Sequence, residues 1–101
     1  MKFLVIGSEG PGFSSAEEAS HLLNNIVLPS FEKLTKLEAD KKIIAGGLPA
    51  GERTLTFIMD ASSNEEVDQI LRELPIWGVL KWKVSPLVSF NSRAILDKKD
   101  V

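Results

Sequence analysis

The chain has 101 residues, 44% hydrophobic and 26% charged, with a net charge of −2. That length holds one hydrophobic core, and that balance is of a folded domain rather than a disordered chain. The slight acidic excess gives a polyanion nothing to bind, so no nucleic-acid partner is expected. The absence of cysteine excludes disulfides, thiolate metal sites and a cysteine nucleophile, and suits a reducing, cytoplasmic setting.

The first element, "KFLVIG" from Lys2 to Gly7, is an apolar run without polar alternation, which predicts a strand covered on both faces. It is too short for a signal peptide, and no window approaches the roughly 18 apolar residues of a membrane span, so no membrane partner is expected. "SEGPGFSS" follows as a loop whose spacing matches no phosphate-binding motif. Ser14 or Ser15, with Glu17 or Glu18 three residues on, predicts a capped helix. Its apolar stripe runs through Ala16, Ala19, Leu23, Ile26, Val27, Ser30, Leu34 and Leu37, to about Ala39. Pro29 interrupts that stripe and predicts a kink or break near Asn25 to Pro29.

"DKKIIAGG" and "ERTLTFIMD" predict a second and third strand, joined through the turn residues of "GGLPAG". A second helix over "SSNEEVDQILREL" is capped by Ser62 or Ser63, presents Val67, Ile70, Leu71 and Leu74, and ends at Pro75. "IWGVLKWKVS" predicts the fourth strand, and the tail stays apolar to Leu96. The order β-α-β-β-α-β is the ferredoxin-like arrangement, an α+β fold with both helices on one face of a four-stranded antiparallel sheet. It assigns residues 1–85 to the domain and 86–101 to a C-terminal extension.

The other face of that sheet is left open. Strand three places Leu55, Phe57 and Met59 on one side, with Thr54, Thr56 and Ile58 on the other. Strand four places Ile76, Leu80, Trp82 and Val84 on one side, opposite Trp77, Val79, Lys81 and Lys83. Apolar residues on both faces predict a second cover, supplied by another copy of the chain. In that homodimer or larger homo-oligomer Trp82 faces the helices, and Trp77, Val79 and Lys81 face the partner sheet.

"IAGG" leading by a turn into strand three, then Asp60, Asn64, Glu65 and Leu71, then Leu74–Pro75, and finally Val84, Pro86 and Leu87 form a spaced set. In that set the chain resembles the muconolactone delta-isomerase family. The resemblance implies a dimeric α+β barrel of ferredoxin-like subunits, a C-terminal extension packed on a neighbouring subunit, and proton-transfer chemistry without a cofactor. The family pattern carries a histidine and an arginine on strand one, where this chain has Leu4 and Ile6, and an arginine late in strand two, where it has Ile43 or Gly47. A lactone isomerase needs a base for the proton and a cation for the carboxylate, and neither Leu nor Ile supplies one.

Other residues can. His21 is the sole histidine and titrates near neutrality, although its place opposite the apolar stripe, beside Glu17 and Asn25, suits a solvated surface histidine. With Glu17 alone it is too little for a metal site. Glu38 is an acid/base candidate if helix one borders a cavity, and otherwise part of a solvated face. Arg53, at the start of strand three, can hold a carboxylate or pair with a nearby acid. Phe31, Phe57, Met59, Leu80 and Trp82 are the candidate pocket lining, and the same side chains read equally as packed core.

Two functions follow. One is a cofactor-free isomerase acting on a small apolar lactone or carboxylate. The other is a non-catalytic dimeric module that binds a small apolar ligand or holds an assembly together. A monooxygenase on the same barrel is a third possibility, because such enzymes leave little motif to read.

Overall fold

The computed structural model describes residues 1–10 and 12–100. Pro11, within the predicted loop, and Val101, at the end of the predicted extension, lie outside the described residues. The strands are β1 (Lys2–Ser8), β2 (Ile43–Gly47), β3 (Leu55–Asp60) and β4 (Lys81–Leu87). They stand in the order β2-β3-β1-β4 with every neighbouring pair antiparallel. The helices are α1 (Ala16–Leu22), α2 (Leu28–Ala39), α3 (Asn64–Arg72) and α4 (Phe90–Lys99), none of them long and apolar enough to cross a membrane.

Two of these helices start from the same words. "SSAEE" and "SSNEE" each place a serine at the N-cap, Ser15 and Ser63, whose hydroxyl accepts the backbone N–H three residues on. The second glutamate of each, Glu18 and Glu66, turns back to the serine before the cap. Orphan amides of the first turn are thereby satisfied, and the acids meet the positive end of the helix.

The predicted break before Pro29 is a π-helical turn, Leu23–Val27, so α1, this turn and α2 form one bent arm. Pro29 has no N–H to give, and the Asn25 side-chain amide donates to the His21 carbonyl at 2.9 Å within the turn.

Beneath the helices, Phe3, Val5 and Gly7 of β1 stand opposite Met59, Phe57 and Leu55 of β3. These residues are buried, as are Val67, Leu71, Leu74 and Ile76 from α3 and the segment after it. Strand four begins later than predicted. Residues Trp77–Val79 form a 3₁₀ turn, because the Trp77 and Val79 amides bond back to Leu74 and Ile76 and continue the end of α3. Trp77 and Val79 are therefore not on the open sheet face. Trp77 lies beneath the Arg72 guanidinium, 4.7 Å from the ring centroid, and Val79 packs on the core. Lys81 begins β4, exposed, opposite Ser8.

Trp82 faces the helices. It stands opposite Gly7, and its indole N–H donates to the Trp77 carbonyl at 2.9 Å. A Cβ on Gly7 would lie 2.7 Å from the nearest ring carbon, so only glycine lets the indole lie over β1 at this distance. Gly7→Ala should displace the ring and cost about 1–3 kcal/mol, read as a fall in melting temperature with a changed near-ultraviolet tryptophan signal. An unchanged melting temperature would mean that the ring slides aside freely.

Candidate active site

The arm does not lie flat on the sheet. Neither α1 nor the π turn buries a single residue, whereas α3 packs down through Val67 and Leu71. The space left under the arm is a cavity of about 290 Å³. Val27 and Phe31 of the arm, Leu55 of β3, and Ile76, Val79 and Leu80 from the end of α3 form its apolar walls. A volume of this order suits a small organic molecule.

Among the described residues two charged groups border that cavity, Glu52 and Arg53. Glu52 closes a tight turn, its N–H donating to the Pro49 carbonyl at 3.0 Å with Gly51 third at φ of 81°, and Arg53 follows it. That sign of φ at the third position is the signature of a type II turn and favours glycine. Arg53 lays its guanidinium over the Phe13 ring, 4.9 Å from the centroid. Among the described residues no carboxylate lies within 4.0 Å of it, so its hydrogen-bond donors are not spent on an acid.

A second cleft of about 340 Å³ adjoins the first, sharing Phe31, Leu48 and Leu55 as walls. Leu34, Thr35 and Glu38 of α2 border it on one side, with Gly46, Gly47 and Phe57 on the other.

The sequence candidates separate accordingly. Phe31 and Leu80 line the cavity and Arg53 stands at its edge, while Phe31, Phe57 and Glu38 line the adjoining cleft. Met59 lines neither, being fully buried in the core, nor does Trp82, packed against Gly7. His21 is exposed on α1, its Nδ1 3.1 Å from the Asn25 amide nitrogen, and borders neither space. Leu4 and Ile6, the strand-one positions where the family pattern is polar, lie on the face of the sheet opposite the helices. Glu52 and Phe13 were not singled out by the sequence. The available signal was an aromatic residue stranded in a glycine-rich loop with no periodic face to join.

A separate polar cluster lies at the edge where β1 begins. The N-terminal ammonium meets Asp60 at 3.3 Å, and Lys42 pairs with Glu66. The Lys42 ammonium first, and then the Ser62 hydroxyl and amide, hold the Glu66 carboxyl down to about 2 from an ordinary 4.5. Ser14 likewise holds Glu18 below its usual value. Asp60, Asn64 and Glu65 of the resemblance fall here, as the N-terminal anchor and the first turn of α3, and serve the fold. Among the described residues no three acids or histidines cluster to hold a metal.

Because the folded state lowers the pKa of Glu66, its contribution to stability is complete above about 4.5 and is lost as pH falls toward 2. Lys42→Met should raise the Glu66 midpoint toward 4.5, followed by NMR of the side-chain carboxyl, and should move acid unfolding to higher pH. A midpoint that stays near 2 would assign the whole effect to Ser62.

The model of the family described as muconolactone delta-isomerase matches residues 17–93. No curated protein sequence matches the chain. The crystal structure of a muconolactone isomerase is similar with a TM-score of 0.73 at 20% identity, over 91% of this chain and 93% of that one. A 5-chloro-2-hydroxyhydroquinone dehydrochlorinase from Burkholderia phenoliruptrix AC1100, in complex with 2,5-dihydroxybenzoquinone, is similar with a TM-score of 0.66 at 24% identity, over 91% of this chain and 98% of that one. At these identities the two structures speak to the fold.

Proposed function

Because the chain belongs to the muconolactone delta-isomerase family, we propose that it is a small cytoplasmic isomerase that works without a cofactor on an unsaturated lactone or related ring bearing a carboxylate. The observation that carries this reading is Arg53, with no acid within salt-bridge distance among the described residues, bordering an apolar cavity beside Glu52. Arg53 anchors the substrate carboxylate through its fork of donors. The ring occupies the space between Phe31, Leu55 and Leu80. Glu52 removes a proton from a ring carbon, the electron pair shifts through the conjugated double bond, and the same carboxyl returns the proton to the far end of that system. The base and the cation, absent from strand one, come in this reading from the loop before β3.

Muconolactone and related lactone acids are the first substrates to assay, with hydroxyquinones as the second class. Glu52→Gln should lower kcat by about 10²–10⁴-fold with little change in KM. Arg53→Gln should act chiefly on KM, by about 10–100-fold, the size of a lost hydrogen bond to a charged group. His21→Gln should change neither. Full turnover in the Glu52 variant would remove that residue from the chemistry, and no turnover by the native protein on any of these substrates would end the isomerase reading.

The second reading, a non-catalytic dimeric module, draws on the open sheet face, where Leu4, Ile6 and Ile58 stand beside one another with no cover. Both readings share one assembly, in which two chains pair through that face and the tail packs on a neighbour. β4 runs through Leu87. Beyond it, α4 buries no residue and Phe90 is 97% exposed. The radius of gyration is 16.3 Å, against about 13 Å for a compact chain of this length. The full chain should elute as a dimer or larger species in light scattering, and a chain ending at Val88 should lose order of assembly or stability. A monomeric full chain would sink the assembly.

A further inference from the structure

The cavity and its adjoining cleft are neighbours divided by three side chains, Phe31, Leu48 and Leu55. Leu48 is 46% exposed and lies in the loop after β2. A single stripe of the arm borders both spaces, with Val27 and Phe31 on the cavity and Thr35 and Glu38 on the cleft. At the helical rise, Phe31 and Glu38 are about 10 Å apart along the axis. A single five- or six-membered ring is shorter than that separation.

The two ends differ in that the cavity end holds a cation, Arg53 with Glu52 beside it, whereas among the described residues the cleft end holds none. At the cavity end Arg53 offers only donors. At the cleft end the Thr35 hydroxyl donates its hydrogen to the Phe31 carbonyl at 2.8 Å, leaving lone pairs. Glu38, on the last turn of α2, adds a carboxylate beside the negative end of that helix. The side chains between the ends are apolar.

We infer that the cavity and cleft form one two-lobed site for an elongated monocarboxylate, its acid on Arg53 and a hydroxyl at the far end donating its one hydrogen to Glu38, beside Thr35. This rests on reading Arg53 as the carboxylate anchor, and it goes further by fixing the length and polarity of the ligand. A dicarboxylate of the same length is disfavoured because its second acid meets Glu38. A single-ring acid binds by one lobe alone.

Calorimetric titration of the full chain with four probes tests this: 6-hydroxy-2-naphthoate, 2-naphthoate, 2,6-naphthalenedicarboxylate and benzoate. The hydroxynaphthoate should bind at least about tenfold tighter than each of the others, a difference of about 1.4 kcal/mol. Glu38→Leu should abolish its advantage over 2-naphthoate, strengthen binding of the dicarboxylate and leave benzoate unchanged. Arg53→Gln should weaken all four. Equal affinities for the hydroxynaphthoate and benzoate, or unaltered discrimination in the Glu38 variant, would overturn the two-lobed site while leaving Arg53 as an anchor. Affinities that ignore Arg53, or no binding of any probe, would overturn the anchor and the two-lobed site together.

Discussion

The buried hydroxyl of Ser30 is the joint on which the helical side of the molecule depends. It donates to the Ile26 carbonyl at 2.7 Å and accepts the Ile76 N–H at 2.9 Å, tying the bent arm to the segment after α3. Ile76 is itself buried, and an unmatched amide there would cost about 1–3 kcal/mol. The two segments so joined are opposing walls of the cavity, Val27 and Phe31 on one, Ile76 and Val79 on the other. Apolar contact alone has no preferred direction, whereas a hydrogen bond sets both distance and angle. With the Lys33 ammonium donating to the Glu73 carbonyl at 3.0 Å, this buried serine helps to set the width of the cavity.

That same serine shows what sequence periodicity carries and what it loses. Ser30 falls on the apolar stripe, so its burial is legible, but its partner lies 46 residues away and no local pattern announces it. The order of strands and helices is legible because caps, Pro29 and Pro75 punctuate it. The start of β4 is not, because "IWGVL" has the composition of a strand. Its amides are captured instead by carbonyls three residues back, a competition that composition does not encode. Among the site residues, Phe31, Phe57, Leu80, Glu38 and Arg53 border the two spaces. Phe13 and Glu52 reach theirs only because two loops, distant in sequence, meet at one end of the arm.

The surfaces a single chain leaves open have a common physical cause. The sheet has one apolar face under the helices and a mixed face outside, where Leu4, Ile6 and Ile58 alternate with Lys81, Lys83 and Ser85 on the neighbouring strand. Lysines along an edge strand discourage uncontrolled pairing while leaving the apolar centre of the sheet to be covered. The extension repeats the pattern, with Leu87, Val88 and Phe90 exposed ahead of a charged terminus. Apolar area of this kind in a chain with one small core is what assembly would remove from water.

The position of the empty volume is decided by what fills the rest. Phe3, Val5 and Met59 are wholly buried, and the Trp82 ring occupies the space above Gly7. The cavity and the cleft lie along the arm, between it and β2, β3 and the segment after α3. The strands contribute only apolar side chains there, Ile43, Leu55 and Phe57. Every side chain that can hold charge beside it comes from the arm or from the loop before β3. The chemistry of this site can consequently change without repacking the core, because a rigid apolar scaffold carries polar groups on a short turn. On the proposed reading, a chain with leucine and isoleucine on strand one takes its base from Glu52 and the cation for the carboxylate from Arg53 instead.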